Sequence, residues 1–113
     1  MKKVFFLTHS PISEQEARKI CERLIQQGYL YFICYAKNST DILILQILKQ
    51  LKKKGYKLRI ELVCSDANLK FSLNGRERLY HDCNEFCLID NVSNNTEDQI
   101  KYLAYRANLV YEI

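Results

Sequence analysis

Glycine is scarce. Of 113 residues only Gly28, Gly55 and Gly75 are glycine, and none falls in the polar loop Lys37-Asn38-Ser39-Thr40-Asp41. That loop joins a strand-like run, Tyr31 to Cys34, to a long apolar helix. In an α/β protein such a junction is where phosphates and nucleotides usually sit, and a backbone that closes around a pyrophosphate relies on glycine there. The scarcity therefore excludes a glycine-rich phosphate loop. No run of about eighteen apolar residues exists, so no membrane-spanning helix is expected. The apolar part of the amino end, Val4 to Leu7, is too short for a signal peptide, and the segment reads as the first strand of a cytoplasmic protein. The five cysteines, Cys21, Cys34, Cys64, Cys83 and Cys87, form no CxxC pair. Zinc sites want two close ligand pairs, so a metal is not expected and the thiols read as reduced, small buried hydrophobes.

What is present is one compact domain over residues 1–113. At this length and 48% apolar content, folding buries roughly 65% of the surface of the unfolded chain. The net charge is +4, and its main contributor is the cluster Lys49, Lys52, Lys53, Lys54 and Lys57, placed where cations complement the carbonyl end of a helix dipole. A nucleic-acid footprint would join those lysines to arginines and exposed aromatics on one face, which the sequence does not do convincingly.

Strand and helix patterns alternate. Lys3 to Thr8 is a nearly continuous apolar run, as for a strand covered on both faces. Ser13 with Glu16 has the spacing of a capping box, and Ala17, Ile20, Cys21, Leu24 and Ile25 recur at helical intervals down to Gly28. Leu30 to Tyr35 is a second strand. A helix beginning near Thr40 and ending at Gly55 is apolar around more than half its circumference, which predicts deep packing. Tyr56 to Cys64 is a third strand whose more exposed start suits a sheet edge. Arg76 to Cys83 reads as a short helix and Glu85 to Val92 as a fourth strand. Thr96, followed by Glu97 and Asp98, starts a last helix, and Leu109 to Ile113 closes the chain as a fifth strand.

Strands joined through helices become parallel neighbours. The expected fold is thus α/β, a three-layer Rossmann-like sandwich on a five-stranded, mainly parallel sheet of order 3-2-1-4-5 with its switch point between the first and fourth strands. Loops at the carboxyl edge gather there: Thr8-His9-Ser10, Tyr35 to Asp41, Cys64-Ser65-Asp66 and Asp90-Asn91. A ligand should meet Thr8, His9, Ser10, Lys37, Asn38, Ser39, Thr40 and Asp41 first. Ser39 and Thr40 offer hydroxyls and amides to an anion at a helix start, and Lys37 adds charge. Arg76 and Arg78 are the residues to reach in and pair a phosphate bidentately. Asp41 suits a ribose hydroxyl, although an acidic residue in a first helical turn is favoured by the dipole alone. His9 is a candidate general acid or base but has no nucleophile beside it, and His81 reads as a surface residue. Eight tyrosines are more than a core of this size hides, and exposed tyrosines suit a protein interface.

These residues resemble the YpsA-like branch of the SLOG superfamily, small Rossmannoid proteins related to the DNA-processing protein DprA and to the Lonely Guy cytokinin-activating enzymes. Leu7-Thr8-His9-Ser10-Pro11 stands where that family has a Thr-Gly-His-Arg-like turn. Phe32 to Asp41 matches the hydrophobic start and the final Asp of its glycine-rich loop. Leu58 to Val63 is similar to its third strand, Arg76-Glu77-Arg78-Leu79-Tyr80 to its Arg-Tyr helix, and Tyr102 to Ile113 to its final helix and strand. The resemblance covers almost the whole chain in spacing and implies a nucleotide-derived ligand at the first two strand–helix loops.

Where the family has glycines this chain has Tyr35, Ala36 and Ser39, and His9 and Ser10 replace the glycine and arginine of the first loop. A Cβ at those places, and a phenol at Tyr35, occupies space that a pyrophosphate needs. The Lonely Guy Pro-Gly-Gly-x-Gly-Thr loop is absent too. The resulting expectation is a non-catalytic SLOG-like domain, without a cofactor, that binds a nucleotide-derived ligand or small anion as a sensor or sequestering protein. The alternative is a protein-interaction module, a homo-oligomer or a small host- or phage-encoded inhibitor that keeps the scaffold without a working pocket.

Overall fold

Alternating patterns become an all-parallel sheet of five strands in a computed structural model that describes residues 1–65 and 79–113. The elements are β1 (Lys3–Leu7), α1 (Glu14–Gln26), β2 (Tyr31–Tyr35), α2 (Ser39–Lys53), β3 (Arg59–Cys64), β4 (Glu85–Leu88), a 3-10 turn (Ile89–Asn91), α3 (Thr96–Arg106) and β5 (Leu109–Glu112). Leu79 and Tyr80 are helical, whereas Arg76 and Arg78, together with the start of the short helix expected there, lie outside the described residues. No helix among the described residues is long and apolar enough to cross a membrane.

Local chemistry sets the helix ends. Ser13 Oγ accepts from Glu16 N at 3.1 Å to cap α1, and Asn38 Oδ1 accepts from Asp41 N at 2.9 Å to cap α2, which starts one residue before Thr40. Both helices end on a glycine in the left-handed region, Gly28 at φ +93° and Gly55 at φ +112°. At each, the following amide reaches back five residues, Tyr29 N to Leu24 O at 3.0 Å and Tyr56 N to Leu51 O at 3.3 Å, closing a Schellman motif.

The α/β class holds, but the strand order is β4-β3-β2-β1-β5 rather than 3-2-1-4-5. The fourth strand pairs with the third, Leu62 opposite Phe86 and Cys64 opposite Leu88, and β5 takes the place beside β1. The alternation of strands and helices is common to both orders, and contacts between elements far apart in the chain distinguish them. Lys49 Nζ donates to Leu79 O at 2.6 Å, and Lys52 Nζ donates to Asp82 O at 2.9 Å and Asn84 Oδ1 at 2.8 Å. These bonds hold the lead-in to β4 against α2, at the edge of β3. β3 is therefore interior rather than an edge strand; only Arg59 is exposed, and it pairs with Glu85 at 2.7 Å. β4 is also shorter than expected, because its chain turns into the 3-10 helix at buried Ile89.

Alternation along the strands feeds two cores. Val4, Phe6, Phe32, Cys34, Ile60 and Leu62 face α1 and α2, where Phe6 lies parallel to Phe32 at a centroid distance of 6.0 Å. Phe5, Tyr31, Ile33, Tyr35 and Val63 face α3 and its buried Leu103. Each fully buried Phe, Leu or Ile contributes about 2 kcal/mol.

The second face also buries a charge. Glu61, 3% exposed, accepts from Arg106 Nη1 and Nη2 at 2.7 and 2.6 Å and from the Tyr31 hydroxyl at 2.6 Å. Burial pushes the Glu61 carboxyl up, but the Arg106 and Tyr31 hydrogen bonds outweigh it and hold the pKa below the usual glutamate value. A depressed folded pKa contributes stability above the unfolded pKa that is lost as pH falls through the folded one. Arg106→Ala is expected to destabilise the fold by about 2 kcal/mol in urea titration at pH 7, less than a fully buried pair because Arg106 is 24% exposed. The loss should shrink in acid below the glutamate range, and the apolar triple change Tyr31→Phe, Glu61→Leu, Arg106→Met should recover most of it.

Candidate functional site at the carboxyl rim

Because β1 and β2 are parallel neighbours, with Lys3 opposite Tyr31 and Phe5 opposite Ile33, their following loops emerge side by side. Residues 8–10 and 37–41 meet there. Thr8 Oγ1 donates to Asp41 Oδ1 at 2.7 Å and accepts from Asn38 Nδ2 at 2.9 Å. Asp41 Oδ2 accepts from Lys37 N at 3.3 Å, with Lys37 Nζ 3.9 Å away, and the same ammonium donates to Thr8 O at 3.4 Å. Thr40 Oγ1 donates to Ser10 O at 3.4 Å. Three cross-loop hydroxyl contacts and one lysine thus bind the end of β1 to the start of α2.

Thr8 and Asp41 are buried, at 4% and 3% exposed. Burial pushes the Asp41 carboxyl up, and the Thr8 hydrogen bond and the Lys37 charge and amide pull it down only in part, so its pKa stays above the usual aspartate value. The carboxylate sits in the first turn of α2, where the helix dipole favours an anion. An internal anion thus takes donors that an external phosphate would otherwise use at this place.

Asp41 rather than the tyrosine fills the loop. Tyr35 turns into the second face, where its hydroxyl donates to Gln99 Oε1 at 2.6 Å, and Gln99 Nε2 donates to Ser93 O at 2.7 Å. Outside the network His9, Ser10 and Ser39 are exposed, Asn38 is exposed although its side chain joins the network, and His9 N donates to Ile113 O at 2.9 Å. The amides of Ser39 and Thr40, in the first turn of α2, are among those that a helix leaves without an intrahelical partner. With β5 in place, the switch point lies between β1 and β5, still beside residues 8–10, whereas Asp90-Asn91 follow β4 at the far edge. Of the ten residues expected at the site, eight gather at the rim, and Arg76 and Arg78 are outside the described residues.

The network offers no nucleophile and base poised for attack. Both oxygens of Asp41 and the hydroxyl of Thr8 are bound and covered. No disulfide joins the five cysteines, burial pushes Cys21 up to about 12, and Cys34, Cys83 and Cys87 are also raised, so none of these four is a thiolate nucleophile at neutral pH. Among the described residues no group of His, Cys, Asp and Glu could hold a metal ion. The polar pairs of the second face, Glu61 with Arg106 and Tyr35 with Gln99, escape a reading by motifs. The available signal was a glutamate inside the otherwise apolar run from Ile60 to Cys64, since a buried charge demands a partner.

Compared with protein-family models, with curated proteins and with solved structures, the chain matches none. The chemistry of the rim therefore rests on its own geometry. Thr8→Val keeps the shape and removes the hydroxyl, leaving the Asp41 carboxylate and the Asn38 amide each one partner short. A loss of about 2 kcal/mol at pH 7 is expected in chemical denaturation. Since protonated Asp41 needs no donor, the variant should raise the folded pKa further and its deficit should shrink as pH falls through that pKa.

Proposed function

We propose that this chain is a non-catalytic, SLOG-like cytoplasmic domain that binds a nucleotide-derived ligand or small anion at the carboxyl rim as a sensor or sequestering protein. The carrying observation is the Thr8 to Asp41 hydrogen bond of 2.7 Å, which sets the two loops expected to hold the ligand edge to edge. Thr8 and Asp41 form a closed floor, and the contacting groups are those above it: the exposed His9, Ser10, Asn38 and Ser39, the Lys37 ammonium and the first amides of α2. Helix start and lysine together favour an anion. The covered state of Thr8 and Asp41 speaks for binding without turnover.

A second reading, a protein-interaction module that has kept the scaffold without the pocket, is favoured by the self-satisfaction of that floor and by the 90% exposure of Tyr105 on α3.

Thermal unfolding with AMP, ADP-ribose and cyclic nucleotides separates the two. Under the binding reading, a ligand at about 100 times its Kd stabilises by about 2.7 kcal/mol, a rise in Tm of roughly 10 °C for a domain of this size. Lys37→Ala should reduce that rise sharply without unfolding the protein. An unchanged Tm with every ligand discards the binding reading.

A further inference from the structure

Charge is unevenly distributed over this molecule. With all strands parallel, the starts of the strands and the ends of α1 and α2 share the edge of the sheet opposite the rim. From Ile42 to Ile60 the chain carries five lysines and one arginine and no acidic residue. Some of these cations are used internally: Lys52 holds the lead-in to β4, Lys53 lies 3.5 Å from Asp82, and Arg59 pairs with Glu85. The last carbonyls of α2 are met by backbone amides of the Schellman motif, Gly55 N to Lys52 O at 3.1 Å and Tyr56 N to Leu51 O. Lys54 and Lys57 are exposed and have no carboxylate partner among the described residues. Between them Tyr56 is 45% exposed, and Lys54, Gly55 and Tyr56 line a shallow open cavity. Lys3, Tyr31 and Arg59 stand in register across three adjacent strands, so Lys2 and Lys57, which lead into the outer two of them, enter from the same edge.

We propose that this amino edge is a docking surface for an acidic protein segment, whose carboxylates meet Lys2, Lys54 and Lys57 while a side chain packs on the Tyr56 ring. Complementary charge steers such a partner, and a tyrosine among cations is the anchor that interfaces favour. A protein fits better than a nucleic acid. A single strand needs successive aromatic platforms, but the rings of Tyr29 and Tyr31 are already covered by Lys2 and Lys3 at 5.6 and 4.6 Å, and two of the arginines of this edge, Arg59 and Arg106, are held by glutamates. The surface is separate from the rim, so its fate does not depend on the ligand reading.

The test uses a fluorescein-labelled poly-glutamate peptide carrying one tyrosine, read by anisotropy and by amide chemical shifts of the labelled protein. Saturable binding is expected at about 50 mM salt, weakening as salt approaches about 300 mM. Shifts should concentrate at residues 2–3 and 53–59. Lys54→Glu with Lys57→Glu is expected to weaken binding at least ~10-fold, and the equal charge change Lys19→Glu with Lys101→Glu elsewhere on the surface about twofold. Tyr56→Ser should weaken it without altering the salt slope. The proposal falls if the peptide does not bind at low salt, if the two double variants weaken it equally, if the shifts lie elsewhere, or if poly-dT of matched charge binds more tightly, which would make this a nucleic-acid surface.

Discussion

Burying the carboxylate of Asp41 constrains the whole carboxyl rim. A charge withdrawn from water must be met by donors, and at this position they come from three sources: the Thr8 hydroxyl at the end of β1, the Lys37 amide before α2, and the dipole of α2 itself. Satisfying that carboxylate therefore ties together residues 33 positions apart in the sequence. The same requirement orients Asn38, whose side chain caps the helix with its oxygen and steadies Thr8 with its nitrogen. The loops at the proposed site are thus positioned by an internal anion, and any ligand above them meets a surface that is already organised.

The second buried carboxylate shows what the first lacks. Glu61 receives a bidentate arginine and a phenol and is held ionised, whereas Asp41 has a single hydroxyl, an amide and an ammonium at 3.9 Å, and burial keeps its pKa raised. Bidentate guanidinium pairing is the stronger arrangement. Glu61 with Arg106 anchors the end of α3 to the centre of the sheet. Asp41 remains the weaker-held charge and lies next to the exposed groups of the rim, where an added donor or cation alters its balance most.

Much of this architecture was legible in the chain. Ser13, Gly28 and Gly55 marked helix ends through chemistry that acts over a few residues, and the parallel sheet followed from alternating strand and helix patterns. The meeting of residues 8–10 with 37–41 followed from β1 and β2 being neighbours. The strand order did not follow, because lysines of α2 reaching carbonyls about 30 residues away decide which edge β4 joins. Periodicity carries no such information. The orientation of Tyr35 was missed for a related reason: its place in β2 sends it to the α3 face, and a reading by loop position assigned it to the wrong side of the sheet. The partner of Glu61 lies 45 residues away on α3, beyond any local pattern.

The account turns on Asp41 being ionised, buried and held chiefly by Thr8. Titration of its side-chain carboxyl carbon by NMR reads this directly in the folded protein. The account expects a midpoint above the ~3.9 of a free aspartate, moving higher when the Thr8 hydroxyl is removed. A midpoint at or below that value, unmoved by loss of the hydroxyl, would contradict it.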